Sequence, residues 1–111
     1  MQPELRPILV VTSCDREDVC DEITKAVLKK KLAACVQVSQ PVRSSYWWQQ
    51  EIAEDSEYLV SMKTDRRLFE ELSEVIRQIH PYDVAEIIAM KIVAIDDDYK
   101  RWMRESLKEP E

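Results

Sequence analysis

The chain contains no glycine and no asparagine, the residues that enter left-handed backbone at the least cost. Its turns must be built from Asp, Ser, Gln, Lys and Pro. The missing glycine also excludes Gly-rich phosphate loops and the dinucleotide fingerprint. This composition is unusual for a natural domain, and a redesigned or stability-selected sequence would share it. There is one histidine, so a single chain cannot supply a two-His metal site. No HExxH, CxxC or nucleophile elbow occurs. Basic residues number 16 against 22 acidic, a net charge of −6. That balance argues against nucleic acid as a partner, because phosphate binding needs a basic face. No apolar run approaches the ~18 residues of a membrane span, and no secretory h-region is visible. Neither membrane insertion nor secretion is expected. The cysteines Cys14, Cys20 and Cys35 are odd in number and lack a framework spacing. They predict reduced thiols and a cytoplasmic protein.

The 111 residues suit one domain, with an ordered core over about residues 7–108 and tails at Met1–Arg6 and Lys108–Glu111. Hydrophobic residues make up 45% and charged residues 34%, enough for a packed core beneath a charged surface. So short a chain buries a modest fraction of its surface alone, so association would help it. Ile8-Leu9-Val10-Val11 reads as a buried central strand within Pro7–Ser13. Asp15 is the expected N-cap of a helix whose apolar stripe is Val19, Ile23, Ala26 and Val27, with Glu17 and Asp18 in its first turn and Lys29-Lys30-Lys31 at its end. Leu32–Val38 predicts a strand, Val42–Ile52 an extended arm after Pro41, and Glu57–Thr64 another strand. Asp65 begins a helix with the stripe Leu68, Leu72, Val75, Ile76 and Ile79, which Pro81 ends. Val84–Ile95 predicts a long last strand. Asp96-Asp97-Asp98 caps a helix carrying Tyr99, Trp102, Met103 and Leu107; a carboxylate cation site is the minor alternative for this run.

The order β-α-β-β-α-β plus a terminal helix predicts an α+β, ferredoxin-like split βαβ fold. Right-handed crossovers place both long helices on one face of the sheet and leave the other bare. Trp47 and Trp48 are neighbours on the arm, so they point to opposite faces and cannot both enter one core. Self-association answers both problems.

His80 ends a helix before Pro81. It is either a C-terminal cap, where a cation is favourable, or a metal ligand or hydrogen-bonding group at a rigid turn. Cys14 lies where a helix N-terminus would lower its pKa, with Asp15, Glu17 and Asp18 opposing. Cys20 and Cys35 read as small buried apolar residues. Met62, Met90 and Met103 read as core. Lys63 and Glu86 are expected on adjacent apolar strands, where charges must be paired or lie in a cleft. No nucleophile, base and stabiliser can be assembled, so an enzyme is not expected.

Five motifs occur in order: Leu32-Ala33-Ala34-Cys35-Val36, Ser45-Tyr46-Trp47-Trp48, Met62-Lys63-Thr64, His80-Pro81-Tyr82-Asp83-Val84-Ala85-Glu86-Ile87 and Tyr99-Lys100-Arg101-Trp102. Together they resemble the CutA divalent-cation tolerance family, over roughly Ile8 to Leu107. The resemblance implies a tight homotrimer with inward sheets and exchanged arms, similar to PII signalling proteins. It further implies divalent metal, copper foremost, as ligand. Cys35, Tyr46, Trp48, Lys63, His80, Tyr82 and Glu86 match positions of the family's intersubunit cleft. Some members bind copper through a Cys at the end of the first strand and a His-His pair. Here Thr12 takes the Cys position with Cys14 two residues on, and Ile79 takes the first His, leaving His80 and Cys14 as the metal residues. Gln50 stands where a Gly usually follows the Trp motif. Two further readings remain. One is a PII-like sensor of a small anionic ligand, with Lys63 supplying charge and Trp48 a stacking surface. The other is a structural trimer presenting its acidic surface to a protein partner.

Overall fold

The computed structural model describes residues 4–110. Met1–Pro3 and Glu111 of the expected tails lie outside the described residues. The run around Ile8–Val11 is strand β1 (Pro7–Cys14), which lies between two partners as its continuous apolar character predicts. The remaining elements are α1 (Glu17–Lys29), β2 (Cys35–Val38), β3 (Val42–Trp48), β4 (Glu51–Asp65), a 3-10 turn (Arg66–Leu68), α2 (Phe69–Ile79), β5 (Ile88–Lys91) and α3 (Asp97–Ser106). The main sheet runs β2-β4-β1-β5, with every pair antiparallel. This is the ferredoxin-like order, with β3 added as a hairpin partner to the first half of β4.

Directly paired residues share a face, so the register defines two surfaces. One face carries the rows Val36, Met62, Val10, Ala89 and Val38, Val60, Thr12. Its central members are fully buried in a core shared with Ile23 and Val27 of α1, Leu72 and Ile76 of α2, and Met103 of α3. The opposite face carries Cys35, Lys63, Leu9, Met90 and Gln37, Ser61, Val11, Ile88. Here Ile88 and Met90 remain 48% and 46% exposed.

Several boundaries differ from the sequence expectation. The arm is not one extended segment: it folds back as the β3–β4 hairpin, turning at Gln49 and Gln50, both with positive φ (51° and 67°). β4 therefore runs 15 residues without a break. At the strand rise it is about 50 Å long, which accounts for the 51 Å long dimension of the molecule. Leu32–Ala34 is not strand. It belongs to a Schellman ending of α1, in which Leu32 N–H donates to Val27 O and Lys31 N–H to Leu28 O. Lys31 takes the left-handed position (φ 56°) that glycine usually occupies, and Leu32 packs with Val27 in the core.

The last strand is four residues, not twelve, because β5 pairs only with Ile8–Val11 of β1. The N-cap of α1 is Arg16, not Asp15, and no side chain caps it; Arg16 instead pairs with Asp18. The other two caps stand where expected. Asp65 accepts from Arg67 N–H, and Asp96 accepts from Tyr99 N–H. The expected tails are partly tied down: Leu5 joins the core, Arg6 N–H donates to Asp65, and Lys108 N–H donates to Lys31 O. No helix among the described residues is long and apolar enough to cross a membrane.

Candidate functional site

Pro81 excludes helical backbone at the residue before it, so α2 stops and His80 turns extended (φ −67°, ψ 131°) while its N–H still bonds Ile76 O. That turn swings the imidazole into the sheet, where it is buried. Nε2 lies 2.6 Å from Ser13 O, and Tyr82 N–H reaches Nδ1 at 3.2 Å. A carbonyl only accepts and an amide N–H only donates. Nε2 therefore carries the proton, Nδ1 accepts, and both ring nitrogens are engaged. His80 is thus more than a helix cap: it ties the end of α2 to the end of β1.

Tyr82 packs edge-on against His80, with centroids 4.5 Å apart. Its hydroxyl donates to Glu57 Oε2 at 2.8 Å. Burial, then this bond to a carboxylate, push the phenol's pKa up. Glu57 is itself buried. Ser13 Oγ lies 3.5 Å from Glu86 Oε1. Farther along the arm Tyr46 donates to Asp55, and that bond raises the Tyr46 pKa. The charges of Asp15 and Asp55 also act on Tyr82. His80, Tyr82, Glu57, Ser13 and Glu86 thus form one hydrogen-bonded network at the end of β1, with Asp15 and the separate Tyr46–Asp55 pair near enough to add negative charge.

Cys14 sits at this place too, but its sulfur points to Cys20, 2.6 Å away, with both side chains wholly buried. Burial, then that contact, push the Cys14 thiol up, and burial pushes up Cys20. The helix-end lowering weighed for Cys14 is overridden, because desolvation penalises a thiolate more than an uncapped helix end favours it. Thr12 points to the helix-covered face beside Val60.

Lys63 and Cys35 form a second, separate group. They are directly paired across β4 and β2. Lys63 Nζ lies 3.1 Å from Gln37 Oε1, 4.0 Å from Cys35 Sγ and 5.9 Å from the centre of the Tyr99 ring. Lys63 pairs with Leu9 of β1, whereas His80 holds Ser13. Four residues of strand, about 13 Å, separate the two groups. Glu86 is not on a strand next to Lys63: it lies in the loop before β5, whose partner is β1 rather than β4. Trp48 stands exposed on the arm beyond Tyr46, paired with Glu51 and away from the Lys63 group.

Sequence reasoning singled out His80, Tyr82, Glu86, Lys63 and Cys35 but missed Ser13, Glu57 and Gln37. A charged residue opening an apolar strand was the available signal for Glu57. Ser13 serves through its carbonyl, which no side-chain pattern discloses.

Among the described residues, no three His, Cys, Asp or Glu side chains gather where they could hold a metal. With both imidazole nitrogens bonded and Cys14 turned to Cys20, the donors of one chain do not fit a resident metal centre.

The family model for the CutA1 divalent ion tolerance protein matches residues 8–106. The chain belongs to this family. It is 37% identical over 101 residues to the divalent-cation tolerance protein CutA of Pyrococcus horikoshii, covering 91% of this chain and 98% of that one. It is 41% identical over 93 residues to Protein CutA of Homo sapiens, covering 84% of this chain. The chain spans about half the length of that mammalian relative, 52%. Among solved structures, CutA1 from Oryza sativa superposes with a TM-score of 0.92 at 30% identity, covering 96% of this chain and 97% of the other. The Thermus thermophilus divalent cation tolerance protein gives 0.89 at 36% identity, covering 92% and 99%. The CutA likeness of the five motifs and the ferredoxin-like fold are both borne out.

Proposed function

We propose that this chain is a non-enzymatic, cytoplasmic protein of metal-ion tolerance that works as a homotrimer and takes divalent metal, copper foremost, as transient cargo at its subunit boundaries. The observation that carries the reading is the family match over residues 8–106, together with the division of the expected cleft residues into two groups in one chain. Cleft residues split about 13 Å apart along one strand are what a site shared between subunits would look like when one subunit is seen alone. The half-exposed Ile88 and Met90 and the 72% exposed Trp47 supply apolar area for such contacts. Metal would reach His80 only by displacing Tyr82 N–H from Nδ1, which favours weak and reversible capture over a resident centre.

Isothermal titration of Cu(II) into wild type and His80→Ala tests this. Binding by wild type that His80→Ala loses, while keeping its far-ultraviolet dichroism, is the expected result. Equal binding by both proteins removes His80 from the mechanism, and no binding by wild type overturns the metal reading.

The Lys63 group favours one second reading. Its ammonium lies against a neutral amide, a thiol and an aromatic ring, a setting that would accept a small anionic ligand. Trp48 of a neighbouring arm would then supply the stacking surface. Thermal protection by a metabolite after EDTA treatment would favour this sensor reading over metal capture. A stable trimer with neither ligand, but with a reproducible protein partner, would favour a scaffold.

A further inference from the structure

We infer that Cys14 and Cys20 are a redox-responsive pair, two thiols under reducing conditions that close into an intrachain disulfide under oxidising ones. This goes beyond the metal and sensor readings and does not depend on either. Cys14 is the last residue of β1, and Cys20 lies in the opening turns of α1. Their sulfurs meet at 2.6 Å with no other group between them. A disulfide needs two cysteines whose side chains already face each other across a short backbone separation. Here the turn from strand to helix provides that arrangement. Cys35 is differently placed, on β2 beside Lys63, so the pairing within this chain is unambiguous.

The pair is sealed but not locked. Both side chains are fully buried, so neither reacts while the segment is closed. Of the linking residues, Asp15–Asp18 are exposed and only Val19 is buried, and Arg16, the N-cap of α1, provides no side-chain cap. An uncapped first turn opens locally at lower cost than the rest of a helix, and that opening exposes Cys20.

The oxidant is a small-molecule disulfide such as oxidised glutathione. One cysteine thiolate attacks a sulfur of that disulfide and releases one small thiol, leaving a mixed disulfide on the protein. The second cysteine then attacks the protein-bound sulfur and releases the second small thiol. Two protein thiols lose two electrons and two protons, and the small disulfide becomes two thiols. The new bond would fix the end of β1, whose Ser13 carbonyl holds His80.

The test uses the full chain, wild type and Cys35→Ser, incubated with reduced or oxidised glutathione, then denatured, alkylated and digested with trypsin. Cleavage after Arg16 separates the two cysteines onto different peptides. The expected result is that oxidised samples of both proteins contain the peptide ending at Arg16 joined to that from Glu17 to Lys25. Reduced samples yield the two peptides apart and alkylated. Oxidised wild type is also expected to melt at a higher temperature than the same protein reduced, since the link constrains the unfolded chain. Full alkylation of Cys14 and Cys20 after oxidation overturns the inference, as does a bond from either of them to Cys35. An unchanged melting temperature in a sample shown to carry the link overturns its stabilising role.

Discussion

The two faces of the sheet are made from the same strands yet have opposite fates. On one, Val10, Met62, Val60 and Thr12 lie wholly buried under α1 and α2. On the other, one residue along in each strand, Leu9, Lys63, Ser61, Val11, Ile88 and Met90 have no comparable cover, and Ile88 and Met90 are exposed. The open face is apolar along β1 and β5, through Leu9, Val11, Ile88 and Met90, but carries Ser61 and Lys63 on β4. A monomer that left the second face to water would give up much of the stabilisation that its apolar residues could provide, about 25 cal/mol per Å². The contrast is between one face closed by the chain's own helices and one whose apolar residues Ile88 and Met90 stay exposed in a single chain; the proposed homotrimer would close the second.

The comparison can be broken from the closed side first. Leu72→Ala and Ile76→Ala remove fully buried side chains and should each cost about 2–5 kcal/mol in urea unfolding. Met90→Ala, on the open face, should cost well under half of that in any monomeric state. Equal losses at the two faces in a monomeric state would mean that the open face is packed within one chain.

Asp65 gives the next largest effect. Burial opposes its ionisation, but the Arg67 guanidinium and the N–H groups of Arg67 and Arg6 outweigh it and hold its pKa below the usual value. Because the folded pKa is depressed, its contribution is complete above the unfolded value of about 3.9 and is lost as pH falls through the folded value. Asp65→Asn should destabilise by about 1–3 kcal/mol near neutral pH and flatten the acid limb of the stability curve. An unchanged acid limb would show that other carboxylates set it.

The arm gives a smaller effect with the opposite sign. Gln50 holds φ of 67° at the hairpin turn, where glycine carries no side-chain penalty. Gln50→Gly should raise the unfolding free energy by about 0.5–1 kcal/mol, read from the denaturation midpoint. A loss would mean that the Gln50 side chain makes stabilising contacts.

What the sequence disclosed follows that division only in part. Elements of the closed core were legible because their periodicities serve one chain: the Ile8–Val11 run, the stripes of α1 and α2, and the caps Asp65 and Asp96. Misreadings fall on both sides: Asp15 is not the cap of α1 and Leu32–Ala34 is its Schellman ending, while the last strand and the arm differ on the other side. Val84 and Val93 extended the expected last strand, yet they are 73% and 89% exposed; in an oligomer, apolar residues can mark contact with another copy as readily as strand. The hairpin at Gln49-Gln50 carried no glycine or asparagine to announce it. Of the candidate site, His80 and Tyr82 were legible through the Pro81 turn and the family motif. Their partners Ser13 and Glu57 were not, since a carbonyl has no sequence signature and a charged residue opening an apolar strand does not disclose that it pairs with Tyr82.

Sedimentation equilibrium of wild type and Met90→Arg at micromolar concentration tests the central claim most directly. The account predicts three times the chain mass for wild type and a shift toward the single-chain mass for Met90→Arg, with far-ultraviolet dichroism unchanged. A wild-type protein that sediments as a single chain, its open face in water, would contradict it.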